Sequence, residues 1–376
     1  MEQDRDEFEP IWAAGFMSGT SIDAVDAALI LTDGIRVLDF GPVVERKYAP
    51  DERLALKQAT EAARHWNWDG APPEAAFAKA RSVITRTHLD AWAELIDRFD
   101  GQVPKIAGVH GQTVLHRPPT AAQTGATLQL IDAEALHEGL GTPLAYDFRT
   151  DDVMAGGQGA PLAPAYHAAL LDMVASAESA AVLNLGGVAN ITYREAQGNL
   201  LAFDTGPANG PIDEWVDRHD AGTCDEGGKL AAAGHVDESS LALWMDNPWF
   251  DAPPPKSLDR YDFSAVLAGG LSLEDGAATL TALSAEAVGH AVKSFKERPA
   301  YLIVCGGGRH NPELMRQLDA RVPSTVRTAE DVGWLGDSIE AQAFAFLAVR
   351  TLRGLPLSWP GTTGVAKPMT GGKVLS

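Results

Sequence analysis

The chain repeats one pattern. Residues 11–17 are apolar, enter a turn of small residues and return as a second apolar run over 23–31. Residues 180–185 do the same through Gly186-Gly187 and return over 189–193. A strand, a Gly-rich turn and a return strand opening each half predict a duplicated α/β unit. One large doubly wound sheet fits the same spacing. A length of 376 residues exceeds what one ordinary core holds and favours two domains.

Further strands are expected at 35–40, 106–109, 127–131, 144–148, 200–203 and 301–305, with helices near 51–65, 73–99, 133–139, 273–296 and 338–353. The Pro-rich stretch 251–257 reads as a surface loop.

Composition narrows the partners. Hydrophobic residues make up 45% and charged residues 22%, the balance of a globular protein. A net charge of −21 opposes nucleic acid and anionic membrane surfaces as main partners, because both repel such a chain. Cys224 and Cys305 fit no zinc or C-x-x-C spacing. The acidic start lacks the basic and apolar regions of a signal peptide, and no apolar run approaches the ~20 residues of a membrane span. A cytoplasmic protein is expected.

Several segments carry residues suited to chemistry. Gly19-Thr20-Ser21-Ile22-Asp23 lets backbone N–H groups and hydroxyls approach an anion, and Asp23 suits a hard cation held through water. A plain hairpin turn explains the same residues equally well. There is no Walker A sequence. Gly186-Gly187 has the same character, and Cys305-Gly306-Gly307-Gly308 ends a strand where a flat or anionic ligand can lie against backbone.

Asp204 ends a strand before Thr205-Gly206-Pro207, the place of many general bases, although an Asx-turn also accounts for it. Glu340 opens an apolar helix, where a first-turn charge complementing the dipole is the simpler account. Arg149 stands beside the Gly-rich loop 155–161, placed for a substrate carboxylate or for an internal Arg–Asp pair. His110 and His116 have no metal-site spacing.

As an ordered set, GFMSGTSIDAVDAAL, GVHGQTVLHRP, AYDFRTDDVMAGGQGAPLAPAYH, VLNLGGVANIT, AFDTGPANGPIDEW, IVCGGGRHNPELM and SIEAQAFAFLA resemble the motifs of the anhydro-N-acetylmuramic acid kinases, over residues 11–365. The resemblance implies two RNase-H-like domains of the actin-like ATPase superfamily with ATP and sugar in the cleft between them. Domain one is expected at 1–135 joined by 358–376, and domain two at 136–357.

It also implies the reaction: ATP and water convert 1,6-anhydro-N-acetylmuramic acid to N-acetylmuramic acid 6-phosphate in peptidoglycan recycling, with ATP and Mg²⁺ required. Carried over by motif, Gly19, Thr20, Ser21, Ile22, Asp23, Ala24, Val25 and Asp26 form the first phosphate loop, with Asp23 reaching the metal through water. Gly186 and Gly187 form the second, and Gly306, Gly307 and Gly308 the adenosine loop. Asp204 is the base, Glu340 orients water or a sugar hydroxyl, and His110, Gln112, Arg149 and Asn209 bind sugar.

Two departures stand out. Ala24 replaces the family's usual Gly, which is tolerable where φ is negative. The Arg-Thr-Asp-Asp run after Phe148 is less basic than in the family, leaving Arg149 as the candidate for the lactyl carboxylate. Partners are expected to be small molecules, with a homodimer left open. The rival readings are another hexose or amino-sugar kinase of the superfamily, a non-catalytic actin-like nucleotide-binding protein, and a glycosidase.

Overall fold

The computed structural model describes residues 8–19, 21–120, 122–175, 178–258 and 262–376. These fall into two compact units: residues up to 170 together with 338–376, and residues 171–337.

The first unit begins with β1 (Ile11–Ser18), β2 (Ala24–Thr32) and β3 (Val37–Lys47), an antiparallel meander. Two helices, Pro50–Trp66 and Glu74–Asp97, lead to β4 (Ile106–Val109), which pairs parallel to β1. β5 (Gln112–Arg117) and β6 (Ala126–Leu130) form a separate hairpin, and β7 (Leu144–Tyr146) joins parallel to β4.

The second unit repeats the plan. β8 (Ala180–Leu185), β9 (Val188–Arg194) and β10 (Leu200–Pro207) are antiparallel, then β11 (Tyr301–Cys305) lies parallel to β8 and β12 (Thr325–Thr328) parallel to β11. Its sheet order is β10-β9-β8-β11-β12. The chain then returns to the first unit with the helix Ile339–Leu352 and β13 (Lys373–Leu375), giving the order β13-β7-β4-β1-β2-β3. Apart from β13, the two orders and strand senses coincide. This is the RNase-H-like topology, present twice, and it decides against one continuous sheet.

The units divide at 170/171 and 337/338, whereas the sequence reading placed the divisions at 135/136 and 357/358. The first boundary moves because β7, beyond residue 135, pairs with β4 of the first sheet. The reason for the second lies in two glycines. A methyl group on Gly15 of β1 would lie 2.0 Å from the Ala341 carbonyl oxygen and 2.3 Å from the Ala345 nitrogen. One on Gly108 of β4 would lie 2.1 Å from the Phe344 carbonyl oxygen. The helix Ile339–Leu352 therefore rests backbone to backbone on the first sheet, which only Gly permits.

Each unit has its own core. Phe16, Leu29, Leu56, Ile84 and Leu95 anchor the first, and Leu183, Ile191, Val288, Leu302 and Leu314 the second. A further cluster in the second unit, with Trp215, Phe250 and Leu283, seats the long helix Leu273–Ser294.

Candidate active site

In the first unit the site gathers around the β1–β2 turn. The Ile22 N–H donates to the Gly19 carbonyl at 3.2 Å, and Ile22 itself has φ of 56°. A β-branched residue in that region is strained, and its burial in the core holds it there. Ala24 is the first residue of β2, paired opposite Lys47, so the condition for tolerating its methyl group is met. Val25 is buried, while Asp26 lies opposite Met17 and Glu45. Ser21 is exposed, and Thr20 lies outside the described residues.

Asp23 is exposed and takes a 2.7 Å ion pair from Arg53 on its Oδ1. The remaining oxygen suits the single water-mediated contact that a phosphate-borne Mg²⁺ needs.

Gln112 braces the turn. Its Oε1 accepts from Ser18 Oγ at 2.7 Å and its Nε2 donates to the Gly19 carbonyl at 3.3 Å, while Ser18 Oγ and the Tyr48 hydroxyl are 2.8 Å apart. His110, next to it, accepts at Nε2 from Arg149 Nε at 2.9 Å. Burial, and then the Arg149 charge, push His110 well below the ordinary imidazole range, so it is neutral. Its proton then sits on Nδ1, buried without a hydrogen-bond partner.

Arg149 donates also to the Gly159 carbonyl at 2.9 Å. The internal Arg–Asp pair considered from sequence does not form. Asp152 instead accepts from the Gly159 N–H at 2.7 Å, from Thr363 Oγ1 at 2.6 Å and from Ser358. Burial lowers Arg149 to about 10, offset by the charges of Glu340 and Asp152. Desolvation raises Glu340 above the ordinary glutamate range, with Arg149 pulling it back. Glu340 nevertheless keeps an exposed face, so it can reach solvent or a ligand. His110, Gln112, Arg149 and Glu340 are thus brought together with the first turn.

In the second unit, Asp204 does not end its strand as the sequence suggested: β10 continues through Thr205 and Gly206 to Pro207, and Asp204 sits inside it at a bulge between Asp204 and Gly206. Its N–H donates to the Lys256 carbonyl at 2.9 Å, and its Oδ2 accepts from the Leu258 N–H at 2.8 Å. Desolvation raises its carboxyl to about 6, partly opposed by the Leu258 N–H. With Oδ2 oriented by one donor, the carboxylate is poised to take a proton near neutral pH.

Nearby, Gly186 and Gly187 form the two-residue turn between β8 and β9. Their carbonyls accept from the N–H groups of Asn209 at 3.0 Å and Gly210 at 3.1 Å, tying the turn to the start of the helix Asn209–Arg218. Gly306 has φ of 76°, and a methyl on Gly308 would lie 2.6 Å from Leu185 Cβ and 3.1 Å from Asn209 Oδ1. The second turn, the triple glycine and Asn209 therefore form one cluster. Methyl groups on Gly187 or Gly307 would meet no atom within 4 Å, which leaves their outer faces open.

Three supports escaped the sequence reading. Tyr48 braces Ser18, the 251–258 segment grips Asp204, and Arg309 clamps the Gly306 carbonyl (3.0 Å) to Asp337 (2.7 Å) and Glu330. Only Arg309 had a signal, as a cation directly after three glycines.

Paired RNase-H-like units with a glycine turn at matching hairpins define a member of the duplicated class that includes actin-like ATPases and sugar kinases. Within that class the chain belongs to the anhydro-N-acetylmuramic acid kinase family, whose model matches residues 12–376. It is 51% identical over 369 residues to the anhydro-N-acetylmuramic acid kinase of Rhizobium rhizogenes, covering 97% of this chain and 99% of that one. Against the Caulobacter vibrioides kinase of the same name the identity is 53% over 368 residues, covering 96% and 98%.

Solved structures with a similar course include the activator of 2-hydroxyisocaproyl-CoA dehydratase from Clostridium difficile, at 12% identity and a TM-score of 0.43 over 92% of this chain and 96% of that one. A ROK family glucokinase from Streptomyces griseus, in complex with glucose and AMPPNP, aligns at 12% identity and a TM-score of 0.40 over 90% and 99%. Among the described residues no helix is long and apolar enough to cross a membrane.

Proposed function

We propose that the chain is an ATP-dependent kinase of 1,6-anhydro-N-acetylmuramic acid, acting in the recycling of cell-wall peptidoglycan. The observation that carries this reading is the match along nearly the whole chain to relatives of that name. Asp204 is the base: its Oδ1 takes a proton from the water that attacks the anomeric carbon. The bond from that carbon to O6 breaks, and O6 attacks the γ-phosphorus as ADP leaves. Glu340 orients the water or a sugar hydroxyl.

Arg149 faces the lactyl carboxylate. His110 and Gln112, both buried, act at the sugar by holding Arg149 and the Ser18 end of the turn. Asn209 serves the sugar from the start of its helix. Residues 19–26 and Gly186–Gly187 cradle the phosphates, and Gly306–Gly308 take the adenosine. Mg²⁺ arriving with ATP would offset phosphate charge, with Asp23 contacting it through water.

ADP release is to be measured with the anhydro-sugar beside glucose, N-acetylglucosamine and N-acetylmuramic acid. Turnover restricted to the anhydro-sugar, with ¹⁸O from solvent at the anomeric hydroxyl, is expected. Faster turnover of an ordinary hexose, or label in released phosphate, overturns the reading.

A further inference from the structure

β10 is an edge strand, paired only with β9 in its sheet, and its open side is covered by the segment that follows Trp249. That segment meets Asp204 twice, through the Lys256 carbonyl and the Leu258 N–H. Leu258 packs against the core cluster of the second unit and the Ala252 N–H returns to the Trp249 carbonyl at 3.2 Å; between these two ends the segment is tied back by the side chain of Lys256. Its ammonium donates to the carbonyls of Trp249 at 2.9 Å and Phe250 at 2.7 Å, and lies 4.3 Å from the centre of the Trp249 ring.

Phe250 is buried in a core cluster, close to Gly206 beside the bulge, so the turn it occupies is fixed. A cavity of about 300 Å³ borders the segment, lined by Phe203, Phe250, Pro254, Lys256 and Phe295. Apolar packing alone therefore does not fasten it.

We propose that Lys256 is a positioning residue for the reaction: by tying the segment back to the 249–250 turn it sets the Leu258 N–H against Asp204 Oδ2 and leaves Oδ1 aimed for proton transfer. This rests on the assignment of Asp204 as the base. Burial lowers Lys256, and the charge of Asp251 opposes this; the other titratable groups around the cavity are His290, whose Nε2 lies 3.0 Å from Asp251 Oδ1, and Tyr193, Glu195 and Lys296.

The test compares Lys256→Met, Lys256→Arg and Lys256→Gln in the full-length protein with ATP and the anhydro-sugar. Lys256→Met is expected to lower kcat by about 10- to 100-fold, the scale of a small misplacement of a reacting group, with KM for ATP within about twofold of the parent. Because the segment both buries Asp204 and supplies the Leu258 N–H, displacing it shifts the Asp204 pKa, and the acid limb of the rate profile moves with it. Lys256→Arg, which keeps a charged donor, is expected to restore both rate and limb, and His290→Gln to leave the limb in place.

In an Asp204→Asn background Lys256→Met should change the residual rate by less than about twofold, as coupled residues do. Full activity in Asp204→Asn alone defeats the base assignment and this inference with it. An inactive Asp204→Asn beside a Lys256→Met of parental kcat and pH profile overturns the positioning role only. So do Met and Arg variants equally impaired, since shape and not the ammonium would then matter. Should Lys256→Met not fold, Lys256→Gln decides, with an intermediate rate and limb expected and parental values refuting.

Discussion

A carboxyl that titrates near 6 in a folded protein has two separate consequences at Asp204. The rate should fall as pH drops through about 6, because protonation removes the base; Asp204→Asn should cost about 10²- to 10⁴-fold at any pH above that. Stability runs the other way. A carboxyl raised above its unfolded value favours the fold at low pH and loses that contribution as pH rises through the folded pKa. Asp204→Asn should therefore raise Tm at pH 8, by an amount that shrinks towards pH 4. A variant equally or less stable at pH 8 would show that desolvation is not what sets this pKa. The helix start at Glu340 could be read locally, whereas Asp204, expected at a strand end, lies inside β10 because the Gly206-Pro207 pair that looked like a loop is accommodated by a bulge. Leu258 and Lys256 were not. Their segment has no periodicity, and its partner lies 54 residues away, so only the folded chain shows that a presumed surface loop orients the carboxylate.

Among the elements, the helix Ile339–Leu352 makes the sharpest demand, since Gly15 and Gly108 let it approach backbone to backbone. Gly15→Ala places a methyl inside a carbonyl's contact distance, with main-chain atoms as the obstacle. Its cost should reach or exceed the ~1–3 kcal/mol typical of overpacking. Chemical denaturation should show the loss, whereas Gly187→Ala, whose methyl meets nothing within 4 Å, should leave stability close to the parent. Equal midpoints for the two variants would refute the close approach. The helix was visible in the apolar pattern of 338–353, but the unit it serves was not. Inside an apolar run a Gly looks like any small residue, and the close approach it permits depends on a partner more than 200 positions further on. Of the short strands, β4 and β7 showed as apolar runs, whereas β12 and β13 escaped because their residues are largely polar or exposed and form no such run. The duplicated hairpins were legible because each is a local unit of strand, glycine turn and strand.

For the molecule as a whole, a net charge of −21 sets the terms on which an anionic nucleotide arrives. Raising ionic strength from about 10 to 150 mM shortens the screening length from about 30 to 8 Å. At constant free Mg²⁺ this should lower KM for ATP by about twofold or more through faster association. A rise in KM instead would mean that a local positive field outweighs the overall charge. The division into units bears on how the molecule is made. Residues 171–337 are one uninterrupted stretch, whereas the first unit is interrupted by them and is completed only by 338–376. During synthesis the second unit can therefore close while the first still waits for the helix that covers β1 and β4. Through that interval an apolar sheet face stands open on the ribosome, at a stage when sticking to other nascent chains competes with folding. Slowing translation between the two stretches would lengthen the exposure, and a holdase chaperone would serve this chain best at that point.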